Sequence, residues 1–270
     1  LSKKPFFIFL TQSGETADTL AVLRDSKKQG ARVLAITNVV GSSVSREADD
    51  VFYTLAGPEI AVASTKAYVT QLAAFYILGL YFASLKETMT NEEIETIKAE
   101  LLQIPNKIDK ALKMKDSLQK FASTHYNHKD MYFLGRGLDY AVAMEGSLKL
   151  KEISYIHCDA YAGGELKHGP IALIEKDTVV IALATQPSVA QKTISNILET
   201  VARGAKVILI TSKNQNAEGF DYVIRIPDVD PLFSCIPATV LLQELAYYVA
   251  KEKGCDVDKP RNLAKSVTVE

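Results

Sequence analysis

One βαβ unit occurs twice in the chain of 270 residues, and this repeat limits the possible folds more than any other feature. The first copy has apolar runs at 6–10 and 33–37, joined by a helical pattern that stops at Gly30. The second copy has runs at 179–184 and 207–211, with a helical stretch that stops at Gly204. Identical residues recur at one constant offset, 185 − 11 = 174. The matching residues are Thr11, Gln12, Gly30, Ala31, Val33, Ile36 and Thr37 in the first copy. We interpret the repeat as duplication of a whole domain.

Short, fully apolar runs are typical of strands buried on both faces of a parallel sheet. The sequence therefore predicts an α/β protein with two tandem domains, each a parallel sheet flanked by helices. The second copy also has an earlier strand at 131–134, a turn at 135–137 and a helix from about 139 to 155. Their counterparts would start at 131 − 174 = −43, so the first copy is expected to lack its opening strand, turn and helix. We place the domains at 1–115, including a helical linker, and 116–255, followed by a tail at 256–270.

Composition excludes several classes of function. The formal net charge is −1 with both signs interspersed, which gives no reason to expect a nucleic acid or a membrane as partner. Three cysteines without CxxC spacing indicate neither a disulfide framework nor a zinc site, and they fit a reduced, cytoplasmic setting. The apolar stretch at 69–82 falls short of a membrane-spanning helix.

The segment Gln12-Ser13-Gly14-Glu15-Thr16 lies between a predicted strand and a predicted helix. Ligands bind at this carboxyl end of a parallel sheet, and free N–H groups with the hydroxyls of Thr11, Ser13 and Thr16 suit a phosphate monoester. A plain helix cap formed by Ser13 is the alternative. In the second copy, Pro187-Ser188-Val189 has lost most of these hydroxyls, so only the first copy is expected to bind phosphate.

Glu145, Lys149 and Glu152 are spaced to line one face of a helix. This pattern is typical of an exposed ion-pair face, but a Lys and a Glu beside a sugar can also share proton transfers. His168 lies in a glycine-rich loop at 162–170 and is either an acid–base group or a loop histidine bonded to its own backbone. We take His125 and His128 as surface residues, since no further metal ligand lies near them in sequence.

The turn Gly135-Arg136-Gly137 follows a strand, as a dinucleotide-binding fingerprint would. Tyr140 stands where the third glycine belongs, and no acidic residue follows at the expected distance. A nicotinamide site is therefore not predicted.

Taken together, these segments resemble the sugar isomerase (SIS) domain family. Within it, the chain is similar to the isomerase part of the enzymes that make glucosamine 6-phosphate. The matching stretches are 12–19, 62–67, 145–157, 164–170 and 256–270, and the closing Pro-Arg-Asn-Leu-Ala-Lys-Ser-Val-Thr-Val-Glu is a highly specific match.

The resemblance implies a role for each matching residue. Thr11, Gln12, Ser13 and Thr16 bind the phosphate, while Val62, Ser64 and Ala264 contact the sugar. Glu152 moves a proton between C1 and C2 with Lys149 as its partner at a sugar hydroxyl. His168 opens the sugar ring across a subunit interface, which implies a homodimer. Lys265 serves isomerisation, with an imine to the open-chain ketose as one route.

The implied reaction converts fructose 6-phosphate and ammonia to glucosamine 6-phosphate, with no metal or cofactor. The family's glutaminase domain, which releases the ammonia, has no counterpart in this sequence, and neither does its Cys-Gly-Thr-Ser-like sugar loop. Two other functions stay open: a related SIS deaminase or deglycase, and a non-catalytic sugar-phosphate sensor. A sensor would need the phosphate site but not Glu152, His168 and Lys265.

Overall fold

The computed structural model describes residues 5–265, and these divide into two compact units. One unit comprises the described residues up to Ile94 and those from Arg261 onward, and the other runs from Glu95 to Pro260. The sequence placed this boundary at 115/116 instead. The boundary at 115/116 between the two predicted SIS-type domains stays a prediction.

The first unit has a three-stranded parallel sheet in the order β1-β2-β3. Its elements are β1 (Phe6–Leu10), α1 (Ala17–Lys28), β2 (Arg32–Thr37), α2 (Ser43–Glu47), β3 (Asp50–Tyr53) and α3 (Lys66–Leu85). Leu20 and Leu23 of α1 pack with Val33 on one face of the sheet. On the other face, Ala74 and Leu78 of α3 pack with Ile36 and its neighbours. This arrangement confirms the predicted parallel sheet between helices.

The second unit has a five-stranded parallel sheet in the order β5-β4-β6-β7-β8. Helices α4 (Asn91–Leu112), which begins just before the boundary, and α5 (Lys115–His125) lead into it. Its further elements are β4 (Asp130–Gly135), α6 (Leu138–Ser154), β5 (His157–Ala162), β6 (Val179–Ala184), α7 (Ala190–Val201), β7 (Lys206–Thr211), β8 (Tyr222–Arg225) and α8 (Cys235–Glu252). Short 3₁₀ helices lie at Leu166–His168, Pro170–Leu173 and Pro231–Phe233. The strands and helices that the repeat predicted are all present.

The expected burial of β1 is wrong. Phe6, Phe7, Ile8 and Leu10 are each at least 39% exposed, because β1 is an edge strand that pairs only with β2 among the described residues. Its counterpart β6 pairs with β4 on one side and β7 on the other and is fully buried. Strand β1 thus has a free edge among the described residues, whereas β6 has a neighbour on each side.

Helices α3 and α8, which follow the two sheets, also differ in how far their apolar side chains are buried. Helix α8 packs against α5 and α6 and is largely buried, whereas α3 leaves Phe75, Ile77 and Tyr81 exposed. By length and composition alone, two described helices pass as membrane spans, Lys66–Leu85 and Pro231–Glu252. From the sequence, we expected the apolar stretch at 69–82 to be too short to span a membrane, but helix α3 extends beyond it at both ends. Core helices of globular proteins pass the same test, so the absence of a membrane partner stays a prediction.

Candidate functional site

The turn after β1 is organised by its own side chains. The Thr11 hydroxyl accepts a hydrogen bond from the Gly14 N–H (3.2 Å), and the Ser13 hydroxyl accepts one from the Glu15 N–H (3.2 Å). Gly14 has φ +69°, and a Cβ there would collide with the Ser42 side chain. The turn therefore needs glycine for both its conformation and its close approach to the next loop.

Helix α1 begins without a side-chain cap. Thr16 is its N-cap residue, but the Thr16 side chain makes no capping hydrogen bond. Ser13 lies too far from the helix start to cap it, so the plain-cap interpretation of Ser13 is wrong. The Glu15 carboxylate accepts from the Ser43 N–H (2.8 Å), and this bonding holds the pKa of Glu15 below its usual value. Glu15 is thereby bound to another loop, and the positive end of the helix dipole stays open to an anion.

A cavity of about 360 Å³ opens at this turn. Its lining combines all four predicted phosphate residues with Ser64 and Lys265. The lining residues are Thr11, Gln12, Ser13, Thr16, Asn38, Val39, Pro58, Glu59, Ser64 and Lys265. The Lys265 Nζ donates a hydrogen bond to the Ala61 carbonyl. The structure therefore brings six of the predicted site residues together around one cavity.

The two residues predicted to offer backbone carbonyls lie beside this lining set. Val62 is partly exposed in the loop between β3 and α3, and Ala264 is exposed next to Lys265. Their roles stay predictions.

Sequence reasoning missed four lining residues, of which two are polar, Asn38 and Glu59. The Asn38 Nδ2 donates to the Gly57 carbonyl, and its Oδ1 accepts from the Thr54 hydroxyl and the Ala56 N–H. Asn38 thus ties the end of β2 to the loop after β3. Its position directly after a buried strand was the available signal, since ligands bind at that edge of a parallel sheet.

In the second copy, the turn equivalent to the phosphate turn binds a carboxylate of the chain itself. Asp139 is fully buried and accepts hydrogen bonds from the Thr185 N–H (2.7 Å), the Thr185 hydroxyl (2.5 Å) and the Gln186 N–H (3.3 Å). Thr185 and Gln186 are the residues that match Thr11 and Gln12 in the repeat. The donors of this turn are therefore already satisfied, in agreement with the expectation that only the first copy binds phosphate.

Three ionisable side chains meet on one face of α6. The Lys149 Nζ lies 2.7 Å from Glu152 Oε2 and 3.5 Å from Glu145 Oε1. The Lys149 side chain is 6% exposed, Glu145 is 10% exposed and Glu152 is 22% exposed. The structure thus has the ion pairs that the spacing indicated, and these charges are largely removed from water.

Burial changes the pKa of one carboxyl group in this array, that of Glu145. Desolvation raises the pKa of Glu145 to about 7, and the Glu152 carboxylate adds to the rise while Lys149 opposes it. Two carboxyl groups with different environments thus share one buried ammonium group. Such a pair is suited to hold and move a proton near neutral pH.

The remaining candidates lie apart from this array. His168 is exposed on the 3₁₀ helix that follows β5, and its N–H donates to the Glu165 carbonyl (3.0 Å). His125 is not a surface residue: it is 5% exposed and packs against Phe121 and Tyr222. Its burial lowers its pKa. The described residues hold no group of His, Cys, Asp and Glu arranged to bind a metal ion.

The parallel sheets flanked by helices, with a hydroxyl-rich turn at the carboxyl end of a strand, define an α/β class of protein with a candidate anion site. The SIS domain family model matches residues 1–81 and 126–248, and the chain belongs to this family. It is 62% identical over its whole length to a glutamine–fructose-6-phosphate aminotransferase (isomerizing) from Clostridium acetobutylicum. The match includes 45% of that relative, so the chain spans about half the length of the curated relatives it matches.

Solved structures give the same assignment. The C-terminal domain of glucosamine-fructose-6-phosphate aminotransferase from Francisella tularensis is 43% identical with a TM-score of 0.90. That match covers 94% of this chain and 73% of that structure. A glucosamine-6-phosphate deaminase from Thermotoga maritima is 25% identical with a TM-score of 0.77, over 99% of this chain and 76% of that structure.

Proposed function

We propose that the chain is the isomerase part of a glucosamine-6-phosphate-forming aminotransferase. Its substrates are fructose 6-phosphate and ammonia, and a glutaminase domain outside this sequence supplies the ammonia. The observation that carries the proposal is the Glu152 carboxylate held 2.7 Å from the buried Lys149 ammonium. A protein that only binds sugar phosphates has no need for a partly shielded acid–base pair.

The first unit binds the phosphate in this scheme. The open N-terminus of α1 and the hydroxyls of Thr11, Ser13 and Thr16 supply neutral donors to the phosphate oxygens. Gln12 adds its amide, and Ser64, Val62 and Ala264 offer a hydroxyl and two backbone carbonyls to the sugar. The protein has a net charge of −1, so its overall charge does not attract an anion. The phosphate must therefore be bound by hydrogen-bond donors at the site itself.

The second unit and the tail supply the chemistry. His168 assists ring opening, which exposes the C2 carbonyl. Ammonia adds at C2 and water leaves, giving an imine, either directly or by displacing an imine formed with Lys265. Glu152 then takes a proton from C1 and returns it to C2, while the C1 hydroxyl proton passes to the imine nitrogen, and this yields the 2-amino aldose. Lys149 pairs with the Glu152 carboxylate and binds a sugar hydroxyl.

The proposal includes a homodimer in the cytoplasm. The family resemblance has His168 acting on the partner's substrate, and its exposure on a loop fits such a role. The three cysteines are free thiols, as a reduced compartment requires. Sedimentation equilibrium measures the dimer directly, and a monomer at micromolar concentration contradicts it.

The alternative is a deaminase that hydrolyses glucosamine 6-phosphate, and the Thermotoga maritima deaminase has the same fold. Two parallel assays separate the functions. In one, fructose 6-phosphate and ammonium chloride are incubated with the chain and glucosamine 6-phosphate is quantified; in the other, release of ammonia from glucosamine 6-phosphate is followed. We expect net synthesis in the first assay. Ammonia release without synthesis at any ammonia concentration favours the deaminase, and no turnover with retained binding favours the sensor.

A further inference from the structure

Glu59 lies in the loop between β3 and α3, and one of its two carboxylate oxygens accepts two hydrogen bonds from Thr65. Glu59 Oε1 accepts hydrogen bonds from the Thr65 N–H (2.7 Å) and from the Thr65 hydroxyl (3.1 Å). Thr65 is the N-cap residue of α3. These two bonds fix the carboxylate at the start of the helix and hold the intervening loop in place.

The other oxygen has no such partner. Glu59 Oε2 is buried and makes no hydrogen bond to any described residue, although Glu59 lines the cavity that also contains Ser13, Ser64 and Lys265. A buried carboxylate oxygen without a donor is costly, so a structural role for Glu59 as a helix cap explains only half of its geometry. The second oxygen is an acceptor held ready for a donor in the cavity.

The chemistry of that donor follows from the position of Glu59 along the sheet edge. The phosphate turn follows β1, whereas the Glu59 loop follows β3, two strands away. Both loops line one cavity of about 360 Å³, which is within the size range of small-molecule sites and is larger than a phosphate group alone requires. A carboxylate repels phosphate oxygens but accepts readily from a hydroxyl. The donor is therefore a hydroxyl of the sugar.

Building on the proposed function, we propose that Glu59 is a specificity-determining residue that accepts a hydrogen bond from a sugar hydroxyl through Oε2. This contact distinguishes a polyhydroxylated phosphate ester from phosphate alone. It also explains why a carboxylate lies in a cavity that is proposed to bind an anion.

The test compares two ligands on one variant. Glu59→Gln keeps a carbonyl oxygen for the fixed Thr65 N–H, and this places the amide NH₂, a donor, where Oε2 accepted. Calorimetric titration of the 270-residue chain with fructose 6-phosphate and with inorganic phosphate gives both affinities. We expect Glu59→Gln to weaken fructose 6-phosphate binding about 10-fold or more, since a hydrogen bond to a charged group is lost. Inorganic phosphate binding should stay within about twofold of wild type.

Thr65→Ala is the matched control, because it removes one bond to Oε1 and leaves Oε2 untouched. It should lower the melting temperature slightly and leave both affinities unchanged. Unchanged fructose 6-phosphate binding in Glu59→Gln overturns the inference, as does an equal loss of both ligands. Failure of the wild-type chain to bind either ligand contradicts the proposed function itself, and the two failures are therefore distinguishable.

Discussion

The Nζ atom of Lys149 lies 2.7 Å from Oε2 of Glu152, one helical turn further along α6, and Glu145 approaches the same Nζ from the preceding turn. A single buried ammonium group thus neutralises two carboxylates. Removing it leaves two like charges with little access to water.

Replacing Lys149 tests this dependence. We expect Lys149→Met to destabilise the second unit by about 3 kcal/mol, since breaking a buried ion pair leaves its partner uncompensated. The loss should be larger at pH 8 than at pH 5, because acid protonates Glu145, whose pKa burial raises to about 7, and so removes the repulsion between the two carboxylates. Urea unfolding at both pH values measures it. Lys151→Met on the same helix is exposed and should change stability by less than about 0.5 kcal/mol. Equal effects of the two variants would refute a buried array.

Glu145 predicts a pH dependence of stability with a definite sign. Its pKa is raised to about 7 in the folded state, and its unfolded pKa is near the ordinary glutamate value of 4.5. Between these values the folded state binds more protons, so this group lowers stability as pH rises through the window and the full deficit is present above pH 7. Glu145→Gln should therefore gain stability over wild type on going from pH 5 to pH 8. The exposed Glu175→Gln serves as the control, and a pH-independent difference for Glu145→Gln would be the contrary result.

His125 predicts the opposite slope. Burial lowers its folded pKa from 6.5, with the neighbouring His128 as a second cause, so the unfolded state binds more protons in mild acid. The contribution of neutral His125 is present above pH 6.5 and is lost as pH falls toward the folded pKa. His125→Phe, which keeps the aromatic contacts with Phe121 and Tyr222, should remove this loss. Thermal melts between pH 5 and 8 measure it, with the exposed His157→Gln as control. Parallel curves for wild type and His125→Phe would contradict the assignment.

The phosphate turn depends on a glycine with no room for a side chain. Gly14→Ala forces a Cβ into the Ser42 side chain at a positive φ and should abolish phosphate binding. Gly41→Ala also has a positive φ but meets no atom within contact distance, so it incurs the backbone strain alone. Titration with inorganic phosphate should separate the two variants. Retained binding in Gly14→Ala would show that the turn does not form the site.

Much of this architecture could be predicted from the sequence. The repeat located β1, β2, β6 and β7 and identified both βαβ units, because period and offset depend on local pattern alone. The exposure of β1 could not be predicted this way, since an apolar strand looks the same at a sheet edge as in its centre. That the first copy lacks an opening strand stays a prediction.

The site was predictable to a similar degree. Hydroxyl-rich composition and position after a strand identified the turn at Thr11 to Thr16. The acceptor role of Asp139 was hidden, because an acidic residue in the first turn of a helix is common and favourable on its own. The burial of His125 was hidden too, since it depends on contact with β8, almost a hundred residues away in sequence. Tertiary contacts of this kind leave no local signal.

The central claim is that Glu152 transfers a proton on a sugar bound through its phosphate. Its most direct test is turnover of fructose 6-phosphate with ammonium in deuterated water, where the product is analysed by mass spectrometry for deuterium at C2. We predict glucosamine 6-phosphate with the wild-type chain, with deuterium at C2 in those turnovers in which the Glu152 carboxyl exchanges its proton with solvent before delivering it. With Glu152→Gln we predict at least about a hundredfold less product at undiminished fructose 6-phosphate binding, the effect expected for loss of a general base. Undiminished formation of labelled product by Glu152→Gln would contradict the account.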